Sequence, residues 1–251
     1  MQRTLRKQLG YMKWQTQLRM QWAVRRWKAG YLTGLPSVSL QSIAGTATPP
    51  SPLKPTILDD VCMPPHNGRL DHDDYTAVIS IAQSLHAKVI LELGTAYGNT
   101  TANLCHECPD AKVYTVNAEA KEQSGSSTTY DLTAEEIGRA YRKNGYAGQV
   151  VQIFKNTLEL DLSEWFKEPV IDFAIVDACH DTEYVYSDFQ KVAPFVRPGG
   201  IVILHDTHPS MNEHLGCSYI ACLQLRKLGY DIRHIRDTWW GCWRKPAAPC
   251  A

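Results

Sequence analysis

Val89-Ile90-Leu91-Glu92-Leu93-Gly94-Thr95-Ala96-Tyr97-Gly98-Asn99-Thr100-Thr101 is the stretch on which the reading of this chain turns. A short apolar run carries an acid near its end, and two glycines follow with three residues between them. A polar segment able to start a helix comes next. This pattern predicts a buried parallel strand opening into a tight turn at the carboxyl edge of a sheet, where open α/β proteins bind ligands. Gly94 and Gly98 are expected to let the backbone approach a ligand closely. Glu92 suits a cationic or hydroxylated ligand better than a phosphate. The dinucleotide fingerprint needs glycines at G-x-G-x-x-G spacing. Ala96 stands where the middle glycine would be, and the acid before the turn would repel a diphosphate.

Outward from that stretch, strands and helices alternate. Strand candidates are 88–93, 111–117, 149–154, 170–176 and 200–205, with helices expected near 99–108, 133–144, 183–193 and 216–228. Thr133 and Glu136 form a capping box for one helix, and Asp71 caps an earlier one with Tyr75, Val78, Ile79, Ala82 and Leu85 on its apolar face. Alternation of this kind implies a parallel sheet with helices on both faces. Segments 230–236 and 239–244 are close enough to pair as a hairpin at the sheet edge, which brings the expected sheet to seven strands. The fold class is α/β, doubly wound and mostly parallel.

At 251 residues the chain can hold one such domain plus an extension. Its zero net charge hides an asymmetry: nine of the 26 Lys and Arg lie in residues 1–58, and all 26 Asp and Glu lie beyond. An acidic body with a basic arm does not read as a nucleic-acid-binding body. Residues 1–35 read as a basic amphipathic helical arm, 36–65 as a proline-rich linker and 66–251 as the α/β domain. Tryptophan and arginine on the arm suit peripheral membrane contact, a partner groove or dimerisation, and a transit peptide has similar composition. No run of apolar residues is long enough to cross a membrane, and no signal-peptide core begins the chain, so a cytoplasmic, optionally membrane-associated protein is expected. Eight scattered cysteines include the single C-x-x-C of Cys105 and Cys108, which reads as buried free thiols on a helix.

A second constellation follows. Ile171-Asp172-Phe173-Ala174-Ile175-Val176-Asp177-Ala178-Cys179-His180 is another buried strand ending in an acid, with a histidine three residues on. Val196-Arg197-Pro198-Gly199-Gly200 reads as a turn, and the strand after it ends in His205-Asp206-Thr207. Adjacent strand ends bring Asp177, His180, His205 and Asp206 toward the Glu92 loop.

The E-x-G-x-x-x-G motif resembles the first motif of class I S-adenosylmethionine-dependent methyltransferases. The order D-x-x-H, R-P-G-G, H-D-T is similar to a metal-dependent O-methyltransferase branch that includes macrocin-type sugar methyltransferases and the cephalosporin hydroxylase group. The resemblance covers roughly residues 70–245. It implies a Rossmann-like methyltransferase fold, S-adenosylmethionine as cofactor and a small hydroxylated molecule as methyl acceptor. It further implies that Glu92, Gly94, Thr95 and Gly98 border the methionine part of the cofactor, and that Asp177, His205 and Asp206 hold a divalent cation such as Mg²⁺ or Mn²⁺. Asp177 then serves in catalysis with His180, which matches the position of the general base. His205 departs from the all-acid pattern and favours softer metals. At the ribose position the usual acid is replaced: either Asn117 takes the hydroxyls, or Glu119 reaches back. Near the adenine the chain offers Asn156. The stretch Ala120–Leu132, rich in Ser, Thr and Gly, has the length of a lid, His208 and His214 follow the fifth strand, and Trp239 with Trp240 can wall a substrate. Two rivals stand beside the methyltransferase. One is a metal-dependent hydroxylase on the same scaffold, which requires His180, His205 and an acid to converge. The other is a non-catalytic Rossmann-like protein that binds a membrane or partner through its arm.

Overall fold

The computed structural model describes residues 34–57, 70–120, 132–208 and 217–247. Residues 1–33 of the basic arm, most of the Ser/Thr/Gly-rich stretch and His214 lie outside the described residues. In chain order the elements are β1 (Ser37–Val38), α1 (Leu40–Ala44), α2 (Leu70–Ser84), β2 (Val89–Leu93), α3 (Asn99–Glu107), β3 (Lys112–Asn117) and α4 (Arg139–Lys143). Then come β4 (Val150–Phe154), β5 (Ile171–Val176), α5 (Thr182–Val192), β6 (Val196–Leu204), α6 (Cys217–Lys227), β7 (Arg233–Ile235) and β8 (Gly241–Arg244).

These strands form one sheet in the order β1-β7-β8-β6-β5-β2-β3-β4. All neighbours are parallel except β8, which runs antiparallel to both β6 and β7. The sheet has eight strands where seven are expected, because Ser37 and Val38, inside the proline-rich stretch, pair with His234 and Ile235. Two residues carry no periodicity that a sequence reading can detect. Among the described residues no helix is long and apolar enough to cross a membrane.

The core has two layers, one on each face of the sheet. On one face α2 and α3 bring Ala77, Ile81, Leu104 and Cys105 against Ile90, Phe173 and Ile203. On the other, α5 and α6 bring Val185, Phe189, Ala221 and Leu225 against Leu91, Ala174 and Val202. Strand β5 is buried along its whole length, as expected for the middle of a doubly covered parallel sheet. Its one acid, Asp172, accepts hydrogen bonds from the N–H groups of Lys88 and Val89 at 2.8 Å and pairs with Arg197. This ties the start of β2 to β5 and β6. Pro198-Gly199-Gly200 lies within β6, where the β5–β6 register shifts, and is not the separate turn that the sequence predicts. Cys105 and Cys108 are free and buried on and just after α3, with burial pushing their thiols up to about 12 and about 11.

The capping box forms: Thr133 N–H donates to Glu136 at 2.9 Å, and Glu136 N–H donates to Thr133 Oγ1 at 3.3 Å. The helix after it is nevertheless shorter than expected, because Gly138 takes φ +71° and α4 begins only at Arg139. Gly98, at φ +80°, packs against this point: a Cβ there would sit 2.8 Å from Gly138 Cα and 3.0 Å from the Tyr141 ring. Gly145 has nearly the same φ, +83°, but nothing within 4 Å of a Cβ. Both positions therefore carry the same left-handed penalty, of about 1 kcal/mol for alanine, and only Gly98 adds an overpacking cost of roughly 1–3 kcal/mol. Chemical denaturation should show Gly98→Ala losing roughly 2–4 kcal/mol and Gly145→Ala only about 1 kcal/mol. Equal losses would dismiss the packing explanation.

Candidate active site

The strand order reverses at β2 and β5: the chain runs outward through β3 and β4 on one side and through β6 on the other. At such a switch point the loops leaving the carboxyl ends diverge and open a cleft. Asp177 N–H donates to Leu93 O at 2.8 Å, and the two loops then meet so closely that a Cβ on Gly94 would lie 2.2 Å from Asp177 O. With φ +110° as well, residue 94 must be glycine. Gly138 and Ala140 donate N–H groups to Ala96 O and Tyr97 O, both at 2.8 Å, and clamp the loop from its other side. The close approach these glycines permit is thus between parts of the protein itself.

Glu92 also faces inward. It is 2% exposed, and its Oε2 accepts hydroxyl hydrogen bonds from Thr115 at 2.6 Å and from Thr101. Thr95 Oγ1 joins the network to Thr115 at 2.7 Å and to Gln152 Nε2 at 3.0 Å, so the Thr95 side chain is buried too. Burial pushes the Glu92 carboxyl up to about 7, against the opposing pull of the two threonine hydroxyls. Asn117 Oδ1 accepts the Ala96 N–H at 3.1 Å and supports the loop at the residue where a dinucleotide site has glycine. Asn156 caps its own turn through Leu158 N–H at 3.0 Å, and Glu119 sits half-buried two residues past β3. Glu92, Thr95 and Asn117 therefore act as the frame of the loop.

Four predicted residues converge beyond that frame. His180 places Nε2 3.1 Å from Asp177 Oδ1 and its Nδ1 against Asp206 Oδ2. His205 places Nδ1 3.1 Å from Asp177 Oδ1 and 3.3 Å from Asp206 Oδ1. Neighbours on a strand point to opposite faces, yet His205 and Asp206 reach the same cluster. The left-handed backbone of Asp206, φ +57°, makes this turn. Burial opposes charge on both histidines, but the carboxylates prevail: His180 rises to about 9 and His205 well above its usual range. Burial likewise opposes charge on Asp177, but the two imidazoles, His205 foremost, hold its carboxyl well below the ordinary range.

One member was missed by sequence reasoning. Asp74, in the first turns of α2, places Oδ2 3.8 Å from His205 Nε2 and accepts the Trp239 N–H on Oδ1 at 2.7 Å. Burial raises its carboxyl above the usual range, with His205 pulling the other way. Its signal was a carboxylate one turn before Val78, on a helix face otherwise apolar. A cavity of about 220 Å³ opens between Asp74, Asp177 and His205 on one side and Asn99, Thr100 and Asn103 on the other. Tyr75, Val78 and Trp240 supply apolar wall. Asn103 anchors the neighbouring chain by accepting the N–H groups of Thr56 and Ile57, each at 3.0 Å. His208 packs against His234 and Trp239, at 5.4 and 5.0 Å between ring centres.

Three members of the cluster could hold a divalent cation. Ligand atoms of Asp177, His180 and His205 all lie within 4.8 Å of one another. His205 Nδ1 is sealed from solvent with two carboxylates beside it, at 3.1 and 3.3 Å.

Residues 91–207 match a family model described as a methyltransferase domain. In fold the chain is similar to a putative caffeoyl-CoA O-methyltransferase from Staphylococcus aureus, with TM-score 0.52 and 18% identity over 72% of this chain and 84% of that one. It is also similar to a putative O-methyltransferase from Klebsiella pneumoniae, with TM-score 0.50 and 19% identity over 74% and 84% of the two chains. The O-methyltransferase TomG from Streptomyces achromogenes, solved with S-adenosylmethionine, gives TM-score 0.50 and 16% identity over 90% and 96%. No curated protein sequence matches the chain.

The framing role of Glu92 has a measurable sign. Its folded carboxyl sits at about 7 against an ordinary 4.5, so the folded state holds the proton more tightly. Stability that depends on this proton is full below about 4.5 and is lost as pH rises through about 7. Glu92→Gln, which keeps a neutral carbonyl acceptor, should flatten that slope and gain roughly 2–3 kcal/mol over the parent between pH 5 and 8. Denaturant titrations at the two pH values check this; an unchanged slope would refute it.

Proposed function

We propose that this chain is a class I methyltransferase and that it transfers a methyl group from S-adenosylmethionine to a hydroxyl of a small molecule, with a divalent cation assisting; its fold and its matched domain support this reading. The observation that carries the reading is the convergence of Asp177, His180, His205 and Asp206 at the switch point, beside a cavity that also meets the start of α3. The likeness to TomG, solved with that cofactor, supports its identity.

Methyl transfer is an in-line displacement, so the protein has to align two reactants and manage one proton. The first turn of α3 has no capping side chain on Gly98 and no acid, and Asn99 and Thr100 line the cavity. A helix start facing the cavity suits a carboxylate such as that of a methionine moiety. Gly94, Thr95, Gly98 and the buried Glu92 shape the loop beside it, while Asn117 or Glu119 meets the ribose and Asn156 lies toward the adenine. S-adenosylmethionine supplies an electrophilic methyl group, and a divalent cation supplies charge that lowers the pKa of a hydroxyl. Asp177, His205 and Asp206 would hold that cation.

His180 is the base. In the structure its two ring nitrogens face Asp177 and Asp206. To act as base His180 first gives up to solvent one of the protons its carboxylates hold; the freed nitrogen exchanges its carboxylate for the acceptor, takes the hydroxyl proton, and the remaining carboxylate stabilises the imidazolium. The convergence of two histidines with an acid is also what a non-haem iron hydroxylase requires.

Calorimetry should detect binding of S-adenosylmethionine to the full chain, and incubation with a panel of small sugars and phenols should release S-adenosylhomocysteine. No binding heat would overturn the reading. His180→Ala should lower kcat about 100-fold or more while cofactor affinity stays within about threefold. A loss of cofactor affinity as large as the loss of kcat would make His180 a structural residue.

A further inference from the structure

Among the groups at the site, Asp74 is the one that the mechanism above leaves without a task. It lies on α2, outside the matched residues 91–207, and no motif of the second constellation contains it. We propose that Asp74 is a positioning residue that sets the tautomer of His205, turning its Nδ1 lone pair toward Asp177 and Asp206. The centre then takes a divalent cation of the manganese-to-zinc series in preference to Mg²⁺. This rests on the metal-assisted reading above.

His205 is held from three elements. It ends β6, its ring packs against Trp240 at 4.5 Å between ring centres, and its Nε2 faces Asp74 Oδ2 at 3.8 Å. Asp74 is itself fixed, because its other oxygen accepts the Trp239 N–H at 2.7 Å. With three carboxylates around it His205 holds both ring protons; a cation at Nδ1 displaces one of them, and the groups around the ring decide which nitrogen keeps the other. Asp177 and Asp206 crowd Nδ1 and would draw the proton there, which would cap the lone pair that a cation needs. Asp74 is the carboxylate on the opposite side, in ion-pair reach of Nε2 at 3.8 Å, and it favours leaving the remaining proton there once a cation takes Nδ1. Histidines that bind metals commonly give their second ring N–H to a carboxylate, and losing that partner costs 10–100-fold in affinity. An imidazole nitrogen among carboxylates also moves preference away from Mg²⁺, which favours an all-oxygen shell.

Asp74→Asn tests the assignment on the full chain. The Trp239 N–H still needs an acceptor, so the amide oxygen stays on that side and the NH₂ group faces His205 Nε2. His205 must then accept at Nε2 and carry its proton on Nδ1. Titration with Co²⁺, followed by calorimetry and by the visible spectrum, should show affinity reduced about 10–100-fold. Affinity for Mg²⁺ should change by less than about threefold, so the Co²⁺/Mg²⁺ ratio falls. Histidine ¹⁵N spectra of the Zn²⁺-loaded parent should report Nε2–H on His205, and those of the variant Nδ1–H. Asp74→Glu, which restores the charge, should recover part of the Co²⁺ affinity, and it serves as the readout if Asp74→Asn proves unfolded by circular dichroism. A parent that binds no Co²⁺, or binds Mg²⁺ as tightly, overturns the inference about the metal. Equal Co²⁺ affinity in parent and variants, with an unchanged tautomer, overturns the role of Asp74 alone. Binding of S-adenosylmethionine, measured alongside, shows whether the methyltransferase reading survives either result.

Discussion

The contact between the Gly94 backbone and the carbonyl of Asp177 is the constraint on which the rest of the site depends. It joins the loops that leave β2 and β5 where the sheet reverses direction, and no side chain can stand between them. Everything that frames the first loop keeps this approach in register. Glu92 binds two threonines behind it, Asn117 supports Ala96 from β3, and Gly138 packs against Gly98 from the side. The loop is rigid because its polar groups are spent on the protein. Asp177 can consequently hold a fixed place in a cleft that would otherwise open between diverging connections.

Around Asp177 the protein gathers charges that none of them could keep alone. Burial raises the carboxyl of Asp74, and it works against both histidines, whose charged forms only the opposing carboxylates restore. Such a cluster is stable as a whole and costly to divide, since removing one member leaves a buried charge uncompensated. His180 and His205 sit between the acids at 5.7 Å from each other, so the arrangement alternates sign across the cavity wall. A positive group entering here meets carboxylates already ordered for it, which is the sense in which the site is preorganised.

Much of this was legible in the sequence, for identifiable reasons. Strands buried on both faces read as continuous apolar runs, and acids at their carboxyl ends marked Asp177 and Asp206 without any knowledge of the sheet order. What escaped was long-range. Glu92 reads as a ligand contact because sequence shows its place at a strand end but not the threonines 9 and 23 residues away that enclose it. Gly98 reads as room for a ligand because its partner, Gly138, lies across an intervening strand and loop. Asp74 reads as one more acid at a helix start, and only the fold carries that helix to the end of β6. Ser37 and Val38 were invisible as a strand because two residues have no period.

The left-handed turn at Asp206 bears on which sequences this site can tolerate. That residue has to hold a positive φ, so side chains branched at Cβ are excluded, and it must end in an oxygen that meets two imidazoles at once. Glycine satisfies the first demand and fails the second, and glutamate does the reverse. Asparagine accepts the backbone but brings no charge. Aspartate meets both demands together, so few exchanges at this position would keep the cluster, whichever acceptor the enclosing loops come to favour.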